Sequence, residues 1–408
     1  MHVELDYATA QVILGMLKNN TELQIKLFNN QMYLNVFNGY PKCNAYIVLT
    51  DLSTQLDKPF YYTTVQIDII QSVLAPMKKL EIYYLDIDIF TNELRFSVKD
   101  YVTDTVQHLG TAKIHLINAT QFGIYEVPLA KELYEMVAIN QVKPFKQALY
   151  NLVSTLNVTK SQYWAEDYLF IKNMKDAPAI ILQSYNSQQY FAQIISDLHI
   201  ERDILVKLRD LEYLKPLMFS TLDFLYMFIY NDRLFFTYKN AALSIPIYKP
   251  EGREIEIERV AQHFRSKDCY DVYKFNLKEI ETVVKTLKNK KAKYNITFEH
   301  MTTEKDDKWY IKCYQVVNKE EILVCQKYLT QGVTLSNIHN LPEFTISLFD
   351  LKRLLKIIKD PNPTFWVTKD GVLTRILTQD NKLLIYQAGI VDIKKKLQKE
   401  NEATAVNA

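Results

Sequence analysis

The chain has 408 residues, 48% of them hydrophobic, and 49 basic against 47 acidic side chains, a formal net charge of +2. Such a length and apolar content supply a large core shared among two to four domains, and the balanced charge excludes a globally basic nucleic-acid binder. The longest apolar runs, such as LDFLYMFIY at 222–230, fall well short of the roughly 20 residues that span a bilayer, so a soluble, intracellular, cytoplasmic protein without membrane attachment is expected.

In chain order, VELDY reads as a strand and leads into a helix whose apolar side is Ala10, Ile13, Leu14 and Leu17; strands LQIKLF and MYLNVF follow. The strand TTVQIDI precedes a second helix with Ile70, Val73, Leu74 and Met77, and LEIYYLDIDIF and LRFSVK follow it. A third helix carries Leu149, Leu152, Val153 and Leu156. ILVKLRD leads to a fourth with Leu211, Leu214 and Met218, where Lys215 interrupts the apolar set, and a hairpin turning at Asn231 and Asp232 comes next. VYKFNL precedes the fifth helix, with Ile280, Val283, Val284 and Leu287; FTISLF precedes the sixth, with Leu351, Leu354, Leu355 and Ile358. Strands with turns at Asp370-Gly371 and Asp380-Asn381 close the series.

Each apolar set has the i, i+3, i+4, i+7 spacing of a helix packed on a core. The sets start 60, 79, 62, 69 and 71 residues apart, so the chain repeats a strand, a helix and several antiparallel strands six times. Paired, the six units make three similar α+β domains, 1–135, 136–265 and 266–393, followed by a charged and polar tail at 394–408. Pro76, Pro216 and Pro361 fall late in or just after the second, fourth and sixth helices only, the alternation expected of a two-unit domain repeated three times.

Charge is sorted by element. The six helices with their flanks hold 19 Lys and Arg against 8 Asp and Glu, and the remainder 30 against 39, so the helices carry +11 and everything else −9. Merely solvated helices mix signs; these point at a polyanion. The residues concerned are Lys18, Lys78, Lys79, Lys143, Lys146, Lys160, Lys207, Arg209, Lys278, Lys285, Lys288, Lys291, Lys352, Arg353, Lys356 and Lys359.

Catalytic vocabulary is sparse. None of the eight glycines forms a phosphate-cradling motif, the seven histidines stand apart without HExxH or HxH, and Cys43, Cys269, Cys313 and Cys325 form no CxxC pair. Asp86 and Asp88 make a DxD that alternation along a strand produces by chance. No enzyme activity, metal or cofactor is expected. The abundance of lysine, tyrosine, isoleucine and asparagine fits an AT-rich coding genome such as many phages have. A repeated β-rich structural or assembly protein that does not encircle DNA is the alternative to the polyanion reading.

Six strand-helix-strand units, three domains and basic helices on an otherwise acidic chain resemble a DNA sliding clamp of the bacterial β type. The resemblance covers residues 1 to about 390. It implies antiparallel sheets outside and helices lining a ring closed by a homodimer. It further implies sequence-independent attraction for double-stranded DNA, a replicative DNA polymerase as the tethered partner, and a clamp loader ATPase. A hydrophobic partner pocket near the junction of the second and third domains would be walled by Tyr190, Phe191, Pro246, Tyr248, Leu384 and Tyr386.

Overall fold

The computed structural model describes residues 2–5, 22–28, 31–38, 43–49, 58–69, 83–90, 92–100, 102–121, 140–141, 143–156, 168–185, 189–214, 226–238, 241–266, 269–274, 276–287, 292–302, 307–329, 343–360, 363–368, 373–378 and 382–388. The first eight strands are β1 (His2–Leu5), β2 (Glu22–Phe28), β3 (Gln31–Asn38), β4 (Cys43–Leu49), β5 (Phe60–Ile69), β6 (Tyr83–Ile89), β7 (Glu93–Asp100) and β8 (Val106–Leu116). Then come β9 (Asn140–Gln141), β10 (Tyr168–Asn173), β11 (Ala179–Tyr185), β12 (Gln189–Ser196), β13 (Ile204–Lys207), β14 (Tyr226–Tyr230), β15 (Arg233–Tyr238) and β16 (Ala241–Pro246). The last are β17 (Cys269–Lys274), β18 (Lys293–Thr302), β19 (Asp307–Val317), β20 (Glu320–Leu329), β21 (Phe344–Ser347), β22 (Thr364–Thr368), β23 (Leu373–Leu377) and β24 (Leu383–Ala388). Four α-helices are described: α1 (Lys143–Leu156), α2 (Arg253–Ser266), α3 (Leu277–Thr286) and α4 (Leu348–Ile357).

Contacts divide the chain into two units, one of Met1–Tyr150, Ser161–Ile180 and Ser196–Pro250, the other of Asn151–Lys160, Ile181–Ile195 and Glu251–Ala408. The first holds an antiparallel sheet of twelve strands in the order β1-β6-β7-β8-β5-β2-β3-β4-β16-β15-β14-β9. The second holds β20-β19-β18-β21 and the run β12-β24-β23-β22-β17. One rule recurs. A three-strand meander such as β2-β3-β4, β14-β15-β16, β18-β19-β20 or β22-β23-β24 is flanked by a strand from elsewhere in the chain: β5, β9, β21 and β17 respectively. The last strands of two meanders, β4 and β16, pair directly through Ala241–Ser244 and Asn44–Ile47.

The side-chain alternation of the strands sets the cores. In β2 and β3, Leu23, Ile25, Leu27, Met32, Leu34 and Val36 are all buried, the period-two pattern of a sheet with one covered face. The β14–β15 hairpin turns at Asn231 and Asp232, whose φ values of 45° and 54° are those of a type I′ turn. Asn318 and Lys319 repeat that geometry between β19 and β20.

Three of the six expected helices appear as α-helices. In α1 Phe145, Ala148, Leu149, Leu152 and Val153 form the buried stripe, and Phe145 packs against Phe236 with centroids 5.8 Å apart. In α3 Leu277, Ile280, Val283 and Val284 are buried. Asn276 caps it, its side chain accepting from the backbone N–H of Lys278 at 3.0 Å. The α4 stripe is Leu348, Leu351, Leu354, Ile357 and Ile358, with Leu355 half-buried. Ser347 caps α4 by accepting from the N–H of Asp350 at 3.0 Å and donates its own hydroxyl proton to that carboxylate at 2.7 Å.

The fourth helix differs from expectation: Leu208–Leu214 is a 3-10 helix. Its buried apolar side chains are Leu208, Leu211 and Leu214, a strict three-residue spacing that matches three residues per turn. The first and second helices lie outside the described residues, as do Met218, Pro76, Pro216, Pro361 and the turns at 370–371 and 380–381. One helix was not expected from the sequence. Ile257, Val260, Ala261 and Phe264 in α2 have the i, i+3, i+4, i+7 spacing of the expected helices, with three basic and three acidic residues interspersed, so the stretch carries no net charge.

Candidate nucleic-acid interface

The lysines of α4 stand where the helical period places them. Lys352, Lys356 and Lys359 are exposed, while Leu351, Leu354 and Ile358 face an apolar space that Leu277 of α3 and Phe298, Phe344 and Phe365 also line. Helices α3 and α4 therefore share one core, and α3 adds Lys278 and Lys285 to the exposed set. Lys285 also approaches Glu281 at 3.4 Å one turn earlier, an exposed i, i+4 pair of small energetic weight. In α1, Lys143 is exposed and Lys146 half-buried. Lys18, Lys78, Lys79, Lys160, Lys288 and Lys291 lie outside the described residues.

The remaining cations have local partners. Arg353 donates from Nη2 to Oδ1 of Asp350 at 2.6 Å and lies over the Phe349 ring at 4.8 Å. Burial lowers its pKa, which the Asp350 carboxylate partly offsets. Lys207 ends β13 with its ammonium 5.1 Å from the Tyr248 ring centroid and 6.0 Å from that of Tyr168. Arg209, in the 3-10 helix, has Nε 3.7 Å from Oδ1 of Asp210. Asp210 is buried, its Oδ2 has no hydrogen-bond partner among the described residues, and burial pushes its pKa up to about 6 against the opposing pull of Arg209, Lys207 and Arg233.

The six pocket candidates fall into two groups. Tyr190, Phe191, Leu384 and Tyr386 belong to the second unit, where β12 and β24 pair with Tyr190 opposite Tyr386 and Ala192 opposite Leu384. Tyr190 and Phe191 are fully buried, and Tyr190 packs with Ala192 and with Ala261 of α2 while Leu384 lies half-buried against them. Pro246 and Tyr248 belong to the first unit. Pro246 is buried opposite Arg233 at the end of β16. Tyr248 bridges to Leu205 through two backbone hydrogen bonds of 3.0 and 2.8 Å and meets Tyr168 edge-on at 5.8 Å. Burial of its phenol raises its pKa to about 12.

Sequence reasoning passed over two features. Strand β20 is the edge of its sheet, and Ile322, Leu323, Val324 and Tyr328 along it are exposed, Ile322 by 52%. Among the described residues, strand β8 pairs over Val106–His108 with β7 alone; its pairing with β5 begins at Gly110. The readable signal was the apolar, β-branched run of β20, which alternation alone does not distinguish from a buried strand.

No protein-family model matches the sequence, and no curated protein does. Solved structures do match. A putative DNA polymerase III beta subunit from Eubacterium rectale is 10% identical with a TM-score of 0.57, covering 96% of this chain and 99% of its own. A DNA polymerase III beta chain from Streptococcus pneumoniae is 11% identical with a TM-score of 0.58 and the same coverage. A Helicobacter pylori beta clamp bound to a DNA ligase peptide gives 11%, 0.58, 96% and 99%. The fold of this chain is that of the bacterial β sliding clamps.

Proposed function

We propose that the protein is a DNA sliding clamp, a non-enzymatic ring that encircles duplex DNA and tethers a replicative DNA polymerase as its processivity factor. The observation that carries this reading is the division of α4: Lys352, Lys356 and Lys359 are exposed on a helix whose other side is buried against α3 and the sheet. Duplex DNA presents about one charge per 1.7 Å of axis, so a row of exposed point charges attracts it without reading bases. Lysine suits sliding because it forms no rigid bidentate contact that fixes a register.

The chain is read as three domains of two units each, and the recurring three-strand meanders support that division. Ring closure is assigned to a second copy. Within the chain β4 meets β16, and β12 meets β24; the closing strand of a meander thus meets another strand across a domain junction. By the same rule β20 of one copy takes the Val106–His108 stretch of β8 in its partner, giving a head-to-tail homodimer. A clamp loader ATPase opens such a ring, and Tyr190, Phe191, Pro246, Tyr248, Leu384 and Tyr386 are the residues assigned to partner docking.

The test is topological. Loaded on circular DNA the protein is expected to remain bound through a high-salt wash, and to be released after the circle is cut. Equal retention on circular and linear DNA would mean that direct binding holds it, and the clamp reading would fail.

A further inference from the structure

The antiparallel register of β1 and β6 sets His2 opposite Asp88 and Glu4 opposite Asp86. Side chains directly opposite each other, and those two residues apart, share a face, so all four project from one side of the sheet. His2 Nδ1 lies 2.8 Å from Oδ1 of Asp88. Its other nitrogen, Nε2, faces Oδ1 of Asp86 at 3.8 Å, too long for a hydrogen bond. Asp86 is 6% exposed, and that Oδ1 has no hydrogen-bond partner among the described residues. A carboxylate oxygen buried without donors is costly. Here it points at an imidazole nitrogen, with the Glu4 carboxylate alongside. One ligand atom from each of His2, Glu4 and Asp86 lies within 4.8 Å of the others.

We propose that His2, Glu4 and Asp86 bind a divalent transition-metal ion, Zn2+ foremost, with Asp88 orienting the imidazole from behind. A neutral imidazole with two carboxylates suits an ion of borderline softness. Bonds of about 2.0 to 2.2 Å set the donors of a tetrahedral site roughly 3.3 Å apart; His2 and Glu4 are exposed, so small side-chain rotations close the remaining gap. The His2–Asp88 contact is the carboxylate–imidazole pairing that fixes tautomer and ring plane in zinc sites. Nearby cations are engaged elsewhere: Arg95 with Glu93 at 2.7 Å and Lys99 with Asp104 at 2.9 Å. The ion would fasten β1, a four-residue strand at the edge of the sheet, to its neighbour β6.

The 408-residue chain without an added N-terminal tag, stripped by chelator, is titrated with ZnCl2 by calorimetry and melted with and without the ion. One Zn2+ per chain is expected at this site, with a rise of several degrees in Tm. Asp86→Asn and His2→Gln should each weaken binding at least tenfold and remove the rise. Asp88→Asn should weaken it roughly 10- to 100-fold, as loss of an outer-shell partner does, with stoichiometry unchanged. Absence of binding below millimolar Zn2+ overturns the proposal, as does an equal Tm rise in wild type and His2→Gln, which would place the ion on other donors such as the thiols. His2 is exposed, so its variant keeps the test readable even if Asp86→Asn fails to fold.

Discussion

Arg353 and Lys352 are chain neighbours that the helix sends to different tasks. Arg353 turns back one turn to Asp350 at 2.6 Å and is largely buried, whereas Lys352 is exposed. Replacing Arg353 by Ala therefore removes a charge-assisted hydrogen bond and the cover over Phe349, and is expected to cost about 1 kcal/mol. Lys352→Ala should stay within about 0.5 kcal/mol of wild type. Urea denaturation of the two variants separates these outcomes.

The triple variant Lys352→Glu, Lys356→Glu, Lys359→Glu alters only exposed positions of α4 and its C-terminal flank, leaving Leu351, Leu354 and Ile358 in place. It is expected to fold and assemble as wild type. Its DNA affinity should fall, and the slope of log affinity against log salt should drop by close to one for each phosphate that a lysine no longer neutralises. Binding measured at two or more salt concentrations reads this directly; an unchanged slope would return the lysines to an ordinary solvated surface.

The buried Asp210 predicts a pH dependence. Its folded-state pKa of about 6 lies above the usual carboxylate value of 3.8, so between those limits the folded protein holds more protons than the unfolded chain. The stability Asp210 contributes is fully present below pH 3.8 and declines as pH rises through about 6. Asp210→Asn keeps the shape without the charge. It should be more stable than wild type at pH 8, by about 2 to 3 kcal/mol at most for a shift of this size, with the gap closing toward pH 4. Thermal melts across that range check the sign.

On β20 Ile322 and Val324 are exposed along an edge strand, Val324 at the bulge where the pairing with β19 shifts between Cys313 and Tyr314. If the proposed homodimer closes through β20, Ile322→Asp with Val324→Asp should convert it to monomer, because charges on an edge strand block pairing with another. Far-ultraviolet circular dichroism should be unchanged. Sedimentation velocity at matched concentration decides; a dimer that survives both charges would move the interface elsewhere.

Leu354 faces the space shared by α3, α4 and three phenylalanines. Leu354→Ala is expected to destabilise by about 2 to 5 kcal/mol through reduced burial and the cavity left behind, without changing the salt slope of DNA binding in the fraction that remains folded. Together with the lysine variant it separates the two sides of one helix.

Much of the fold was legible because periodicity reports burial directly. The stripes at Leu149, Ile280 and Leu351 became α1, α3 and α4, and Asn231-Asp232 became a type I′ turn. The stripe at Leu211 became a 3-10 helix because Leu208, Leu211 and Leu214 repeat every three residues, a distinction that disappears when only i, i+3 matches are sought. Helix α2 carries the same apolar spacing and was passed over, although its sequence holds the signal. The site was less legible. Lys207 reads in sequence as one more basic helix residue, yet its strand carries it onto Tyr248, a residue 41 positions away. Asp86 and Asp88 looked like chance alternation until strand pairing set His2 and Glu4 beside them, a juxtaposition across more than 80 residues that no local pattern encodes.

The bare edge of β20 carries a further consequence for assembly. The proposed joint between two different surfaces, β20 of one copy and β8 of the next, would leave each copy with one of each still open unless the series returns to its start. The joint itself does not count copies; the angle through which each chain turns between its two ends does. Copy number is thus written at places remote from β20, such as the β4–β16 pairing. In the proposed assembly, a change that rotates those strands relative to one another would leave the affinity of every joint intact and yet turn a closed pair into a larger circle or an endless filament.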